Sequence, residues 1–183
     1  RVREAPEKDV VTLRIKMESR VETGSLMLAL ERPEKIGIRW NGIPCPMPKR
    51  EETGWFTDTF IRTVSVPGLK KGENELLLEV PFGQKTNLEN LFLLGEFGVC
   101  VLGTKSLVTA APTELAFGDI TRQGLPFYGG SITYSMHFEM DQEKDILVKV
   151  PHFTAPVLEV WIDGKSAGLI AFAPHTLSLG RIL

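Results

Sequence analysis

The chain has only two cysteines, Cys45 and Cys100, far apart and without metal-ligand spacing. Both sit beside apolar residues. Two free, buried thiols are the expected state, since free cysteine is among the most buried residue types; a disulfide is the alternative. No apolar run approaches the roughly 18 residues needed to span a bilayer. Arg1 to Asp9 is charged and no apolar h-region follows, so no signal peptide is recognised. A piece of a longer chain would lack its native N-terminus, so this says nothing of export. There is no surplus of positive charge: 21 Lys and Arg stand against 23 Asp and Glu, for a net charge of −2 and a pI near 6.0. That excludes the basic footprint of a nucleic-acid binder and any electrostatic case for an anionic membrane. Helical patterning is scarce. Only Leu88 to Phe97 could hold a turn or so of helix, and Gly95 cuts it short. His137, His152 and His175 form no HExxH or His-Cys cluster, and neither a Gly-x-Ser-x-Gly elbow nor a phosphate-cradling glycine loop occurs.

What is present is strand after strand. Val11, Leu13, Ile15 and Met17 alternate with Thr12, Arg14, Lys16 and Glu18, the signature of a half-buried strand near Val10–Glu18. Ile36, Ile38 and Trp40 alternate within Lys35–Trp40, and Asn41-Gly42 follows, a pair that tolerates the positive φ of a tight hairpin turn. Trp55 to Val66 is rich in Phe, Thr, Ile and Val and ends at Pro67-Gly68. A polar turn, Lys70 to Asn74, feeds Glu75–Val80. Ile132, Tyr134, Met136 and Phe138 predict one face of a strand over Gly130–Glu139. Leu158, Val160 and Ile162 line one face of Val157–Ile162, which leads to Asp163-Gly164. Seventeen glycines and 12 prolines cluster between these runs, and 43% hydrophobic content is enough for a core. Many short strands separated by turns indicate an all-β sandwich or jelly roll.

The strands form a weak internal repeat. Two strands and a third ending in a turn dipeptide, Asn41-Gly42, make the first copy; the second has the same order and ends its third strand at Asp163-Gly164. The first continues through Leu69, Gly72, Glu73 and Asn74 into a last strand, whereas the second stops where that strand should begin. The expectation is two tandem β-sandwich modules, residues 1–108 and 131–183, the second incomplete at its C-terminus, in a piece of something larger. Residues 109–130 are expected to be linker and long loop, with Ala110-Ala111-Pro112-Thr113 as the linker.

The run from Ile38 to Val80 resembles the sugar-binding jelly roll of glycoside hydrolase family 2, the β-galactosidase and β-glucuronidase group. The elements that carry the resemblance are Trp40-Asn41-Gly42, the aromatic-rich strand at Trp55-Phe56, and a Leu-x-x-Gly-x-Asn turn at Leu69 to Asn74. The second copy is similar to C-terminal modules of large glycoside hydrolases, including family 106 α-L-rhamnosidase-like proteins, through Glu159 to Lys165, Ala167-Gly168 and Ala173-Pro174. The resemblance implies galactose-binding-like jelly-roll modules. It also implies a non-catalytic accessory region of a microbial glycoside hydrolase, with the catalytic domain of the parent chain and carbohydrate as partners. The enzyme class, rather than anything in this chain, favours a secreted or periplasmic location.

No residue set announces a reaction. A glycosidase flanks its bond with two carboxyl groups; by position the candidates are Glu89, Glu96 and Asp119, in expected loops, where solvated or turn-forming acids are the plainer reading. Asp163 is first of all a turn residue. No cofactor is called for, although calcium is left open, because its β-sandwich sites use scattered oxygens that leave no local motif. Aromatic rings are the best handle on sugar, since a pyranose presents C–H groups that stack on an exposed ring. Trp40 is expected in the core; Trp161 lies opposite Leu158, Val160 and Ile162, exposed or packed on another domain. Trp55 with Asp58, Glu96, Asp119 and Tyr128 are the carbohydrate-binding candidates, because loops on a rigid scaffold carry function. The competing expectation is a structural or adhesive β-sandwich without sugar contact, its rings buried between modules. A free-standing catalytic fragment ranks third.

Overall fold

The computed structural model describes residues 7–46, 48–84, 86, 88, 90–139 and 146–180. The described chain is all-β; its only helical pieces are 3-10 turns at Pro33–Lys35, Arg50–Glu52 and Ile120–Gln123. It divides into two compact units between Gly130 and Ser131.

The first unit holds ten strands: β1 (Asp9–Ser19), β2 (Leu26–Glu31), β3 (Gly37–Trp40), β4 (Ile43–Pro44), β5 (Gly54–Phe56), β6 (Asp58–Val66), β7 (Gly72–Phe82), β8 (Phe92–Leu94), β9 (Gly98–Leu102) and β10 (Lys105–Thr109). They form a six-stranded sheet in the order β4-β3-β7-β1-β10-β9 and a four-stranded sheet in the order β5-β6-β2-β8. Every pairing is antiparallel except β1 with β10. Period-two alternation puts every second side chain on one face. Leu26, Leu28 and Leu30 of β2 with Val64 and Val66 of β6 supply that face from the smaller sheet. Ile38 and Trp40 of β3 with Leu76, Leu78 and Val80 of β7 supply it from the larger, and all belong to one buried cluster, sandwich-like in its two-sheet make-up. Leu13, Ile15 and Met17 of β1 pack against it. Each fully buried Leu or Val contributes about 1.5–3 kcal/mol.

One polar residue lies as deep as that core. Asn74, 1% exposed, accepts from the Asn41 side-chain amide and the Lys70 N–H, both at 3.0 Å, and donates to the carbonyls of Lys70 at 2.7 Å and Gly72 at 3.1 Å. Asn41 Oδ1 in turn accepts the Glu75 N–H at 2.8 Å. Trp40 Nε1–H donates to the Gly68 carbonyl at 3.1 Å. The Trp-Asn-Gly and Leu-x-x-Gly-x-Asn elements of the sequence are therefore two halves of one buried clasp. Gly68 is required there: a Cβ would stand 2.0 Å from the Thr23 carbonyl oxygen.

The second unit holds β11 (Ile146–Lys149), β12 (Leu158–Ile162), β13 (Lys165–Ile170) and β14 (Thr176–Gly180), paired as β11-β14 and β12-β13. Among its described residues only Ile170 is a fully buried hydrophobic. The β12–β13 turn, Asp163-Gly164, has φ of 48° and 77°, nearly those of Asn41-Gly42, 49° and 80°. Both have the positive φ pair of type I′ hairpins, as the dipeptides predict.

Three expectations need correction. The Gly130–Glu139 strand is absent from the described residues 130–139, where Met136 and Phe138 are exposed. Alternation specifies a face to bury, but a strand also needs a ladder partner. The helical reading of Leu88 to Phe97 gives way to β8, which pairs with β2 from Ala29↔Phe92 to Met27↔Leu94: a free sheet edge recruits a short apolar run whatever its local preference. The two thiols are free, as expected, but not buried, Cys45 being half-buried and Cys100 exposed. Cys100 lies on β9, which is an edge strand among the described residues.

Candidate functional site

Trp55 and Asp58 lie on the β5–β6 hairpin. Thr57, at φ 58°, reverses the chain between them, and Asp58 Oδ1 accepts the Phe60 N–H at 2.7 Å. Asp58 thus shapes the turn. Trp55 is 59% exposed and stands directly opposite Arg62 on β6. Arg62 stands opposite Leu30 on β2. Cross-strand partners share a face, and Leu30 is in the core, so Leu30, Arg62 and Trp55 form a row running from the core to the open edge strand. Nε of Arg62 is buried with no hydrogen-bond partner. It is the one such side-chain atom among the described residues. Leaving a buried donor unsatisfied costs about 1–3 kcal/mol.

The remaining candidates fall elsewhere. Asp119 is the N-cap of the Ile120–Gln123 turn. Its Oδ1 accepts from the Thr121 N–H at 3.0 Å and the Thr121 hydroxyl at 2.6 Å, and Oδ2 lies 3.6 Å from Arg122 Nε. The Thr121 bonds hold its carboxyl below the usual range; burial opposes them, and Arg122 adds a lesser downward pull. It is a loop-builder. Tyr128 follows in the same loop, half-exposed, its N–H donating to the Leu125 carbonyl at 3.3 Å. This loop is fastened to the first unit where Val99 N–H donates to the Gly124 carbonyl at 2.7 Å. Glu96, exposed in the bend after β8, joins Glu22, Thr23, Gly95 and Ala110 around an open cleft of about 550 Å³. Glu89 lies outside the described residues.

A charged group occupies the end of the first unit just beyond Leu30. Arg32 grips Glu7 through both carboxylate oxygens at 2.7 and 3.3 Å, with Lys35 at 4.0 Å. The Arg32 hydrogen bond is the main reason the Glu7 carboxyl is held below its ordinary value. Among the described residues no three His, Cys, Asp or Glu side chains group as metal ligands. His175 packs its ring on Phe153, centroids 4.8 Å apart. Trp161, 58% exposed on β12, shares a face with Ser166 of β13, whose hydroxyl donates to Glu159 at 2.7 Å.

Arg62 was not among the residues singled out from sequence. Its position two residues before Val64 and four before Val66 is the signal: an arginine in a core-facing register. No protein-family model matches the chain, and no curated protein or solved structure matches it.

Proposed function

We propose that this chain is a non-catalytic accessory region of a glycoside hydrolase, made of jelly-roll, galactose-binding-like modules, which supports a catalytic domain and binds carbohydrate. The observation that carries this reading is Trp55: a large ring, mostly in solvent, on an edge strand of the four-stranded sheet and opposite Arg62 in the strand register. A flat exposed ring stacks on the C–H face of a pyranose, and polar neighbours take up its hydroxyls. Of the carboxylates weighed for catalysis, Asp119 is engaged in its own turn. A structural or adhesive role is the second reading, favoured by the second unit. There Trp161, Leu169 and Phe172 all stand exposed, the kind of surface that takes a protein partner.

Affinity electrophoresis through gels containing a panel of polysaccharides separates the two. Carbohydrate binding predicts that at least one polysaccharide retards the chain and that Trp55→Ala abolishes the retardation while circular dichroism stays unchanged. Retardation by none of them would leave the structural reading standing.

A further inference from the structure

Of the four asparagines in the chain, Asn41 alone precedes a glycine. An asparagine side chain cyclises when the next residue's backbone nitrogen attacks its amide carbon, and a following glycine, with no Cβ, hinders that attack least. Gly42 is exposed at φ 80°, and no atom stands within 4 Å of where a Cβ would sit. Solvent therefore reaches the nucleophile. The amide it would attack is fastened at both ends. Nδ2 of Asn41 donates to Asn74 Oδ1 at 3.0 Å, and Oδ1 accepts the Glu75 N–H at 2.8 Å. Asn74 is in turn fixed to the Lys70–Gly72 turn. Closing the five-membered ring turns the Asn41 side chain out of this position and breaks both of its bonds. The chain carries its own comparison. Asp163-Gly164 has nearly the same backbone, with φ of 48° and 77°, and an aspartate cyclises by the same attack with water as the leaving group. Asp163 is exposed, and its side chain has no partner among the described residues.

We infer that Asn41-Gly42 is a deamidation site that the buried clasp keeps closed, and that reaction there unfastens the clasp. The Gly42 nitrogen gives its proton to solvent and bonds to Asn41 Cγ. The Cγ–Nδ2 bond breaks, and Nδ2 takes up a proton and leaves as ammonia. Water then opens the succinimide at either carbonyl, giving aspartate or isoaspartate; nothing is oxidised or reduced, and water is the co-reactant. Either product lacks the N–H that bonds Asn74. Aspartate sets a carboxylate against Asn74 Oδ1, two acceptors with no proton between them. Isoaspartate carries the backbone through the former side chain and lengthens by one carbon a turn closed by the Trp40↔Ile43 pair. The turn thus keeps a one-way chemical record of the time the clasp has spent open, whatever the unit binds.

Peptide mapping by chromatography and mass spectrometry tests this on the full chain, incubated at mildly alkaline pH either folded or in denaturing urea. In urea, Asn41 should deamidate faster than Asn74, Asn87 and Asn90. In the folded chain its rate should fall about tenfold or more, since two hydrogen bonds must open first. Isomerisation at Asp163 should slow far less between the same two conditions. Asn74→Ala removes the acceptor and should raise the folded-state rate at Asn41 about fivefold. Circular dichroism shows whether that variant is folded, and the wild-type comparison decides alone if it is not. Asn41→Asp, which supplies one product by mutation, should lower the urea midpoint. Asn41 reacting in urea no faster than the other three asparagines overturns the inference. So does a folded rate at or above the denatured one, which would make the Glu75 N–H a donor to the developing oxyanion rather than a lock. Slowing at Asp163 as strong as at Asn41 assigns the protection to the turn backbone and overturns the role of the clasp, as does an unchanged rate in folded Asn74→Ala. An Asn41→Asp variant as stable as wild type overturns the unfastening.

Discussion

Asn74→Ala is the substitution with the largest effect expected from a single polar residue. Asn74 makes four hydrogen bonds from a site 1% exposed. At a net contribution of about 1 kcal/mol each, and with some water entry into the space left, the loss should be about 3–4 kcal/mol. For a unit of roughly 130 residues this lowers the melting temperature by about 8–15 °C. Asn41→Gly tests the origin of the effect. Glycine accepts the positive φ of the turn, so the hairpin survives while both Asn41 side-chain bonds go. Urea unfolding of wild type, both single variants and the double variant gives a coupling energy, expected near 1 kcal/mol for the Asn41–Asn74 bond. Asn74→Asp should be at least as damaging as Asn74→Ala, because a carboxylate cannot donate to the Lys70 and Gly72 carbonyls and would be charged in the interior. A loss below about 1 kcal/mol for Asn74→Ala would refute the reasoning: water would then replace the amide at no cost, and the clasp would not hold the turn.

Two further outcomes follow from single side chains. Brief treatment of the folded protein with iodoacetamide should label Cys100 before Cys45. Cys100 is exposed, while burial pushes the half-buried Cys45 thiol up and lowers its thiolate fraction; peptide mass spectrometry reads the order. Glu7→Gln should lower the urea midpoint at neutral pH and converge with wild type on acidification. The Glu7 carboxyl is depressed in the folded state, so its stabilisation is present above the ordinary carboxylate value, about 4.3, and is lost as pH falls through the lower folded one.

The elements legible in the sequence were those whose information is local. β1 and β7 announce themselves by alternation, and Leu76, Leu78 and Val80 are buried as that alternation requires. The two hairpin turns follow from Asn-Gly and Asp-Gly alone. Elements that depend on a distant partner were not legible. Phe92–Leu94 is a strand because β2 has a free edge beside it. Ile132 to Phe138 alternates as well as β1 does, yet is no strand over the described residues. The candidate site divides the same way. Trp55 was visible as an aromatic after a loop. The arginine beside it was not, because the pairing is set by the irregular register between β5 and β6 after Thr57.

The lone parallel pairing, Glu18 with Leu107 and Ser19 with Val108, bears on how the first unit comes into being. Nearly the whole unit lies between those partners, and the β1–β7 ladder from Asp9↔Phe82 to Ser19↔Gly72 spans most of it again. Tight hairpins such as β9–β10, joined across Leu102↔Lys105, can close within microseconds. The central strand of the larger sheet cannot find both its neighbours until β10 exists. On a ribosome, β1 and β2 emerge before the later strands of this unit and wait with Leu26, Leu28 and Leu30 uncovered. Folding dominated by such distant pairings runs in milliseconds to seconds rather than microseconds. The interval between synthesis and closure is therefore the period in which this chain is most exposed to aggregation, and most in need of a chaperone.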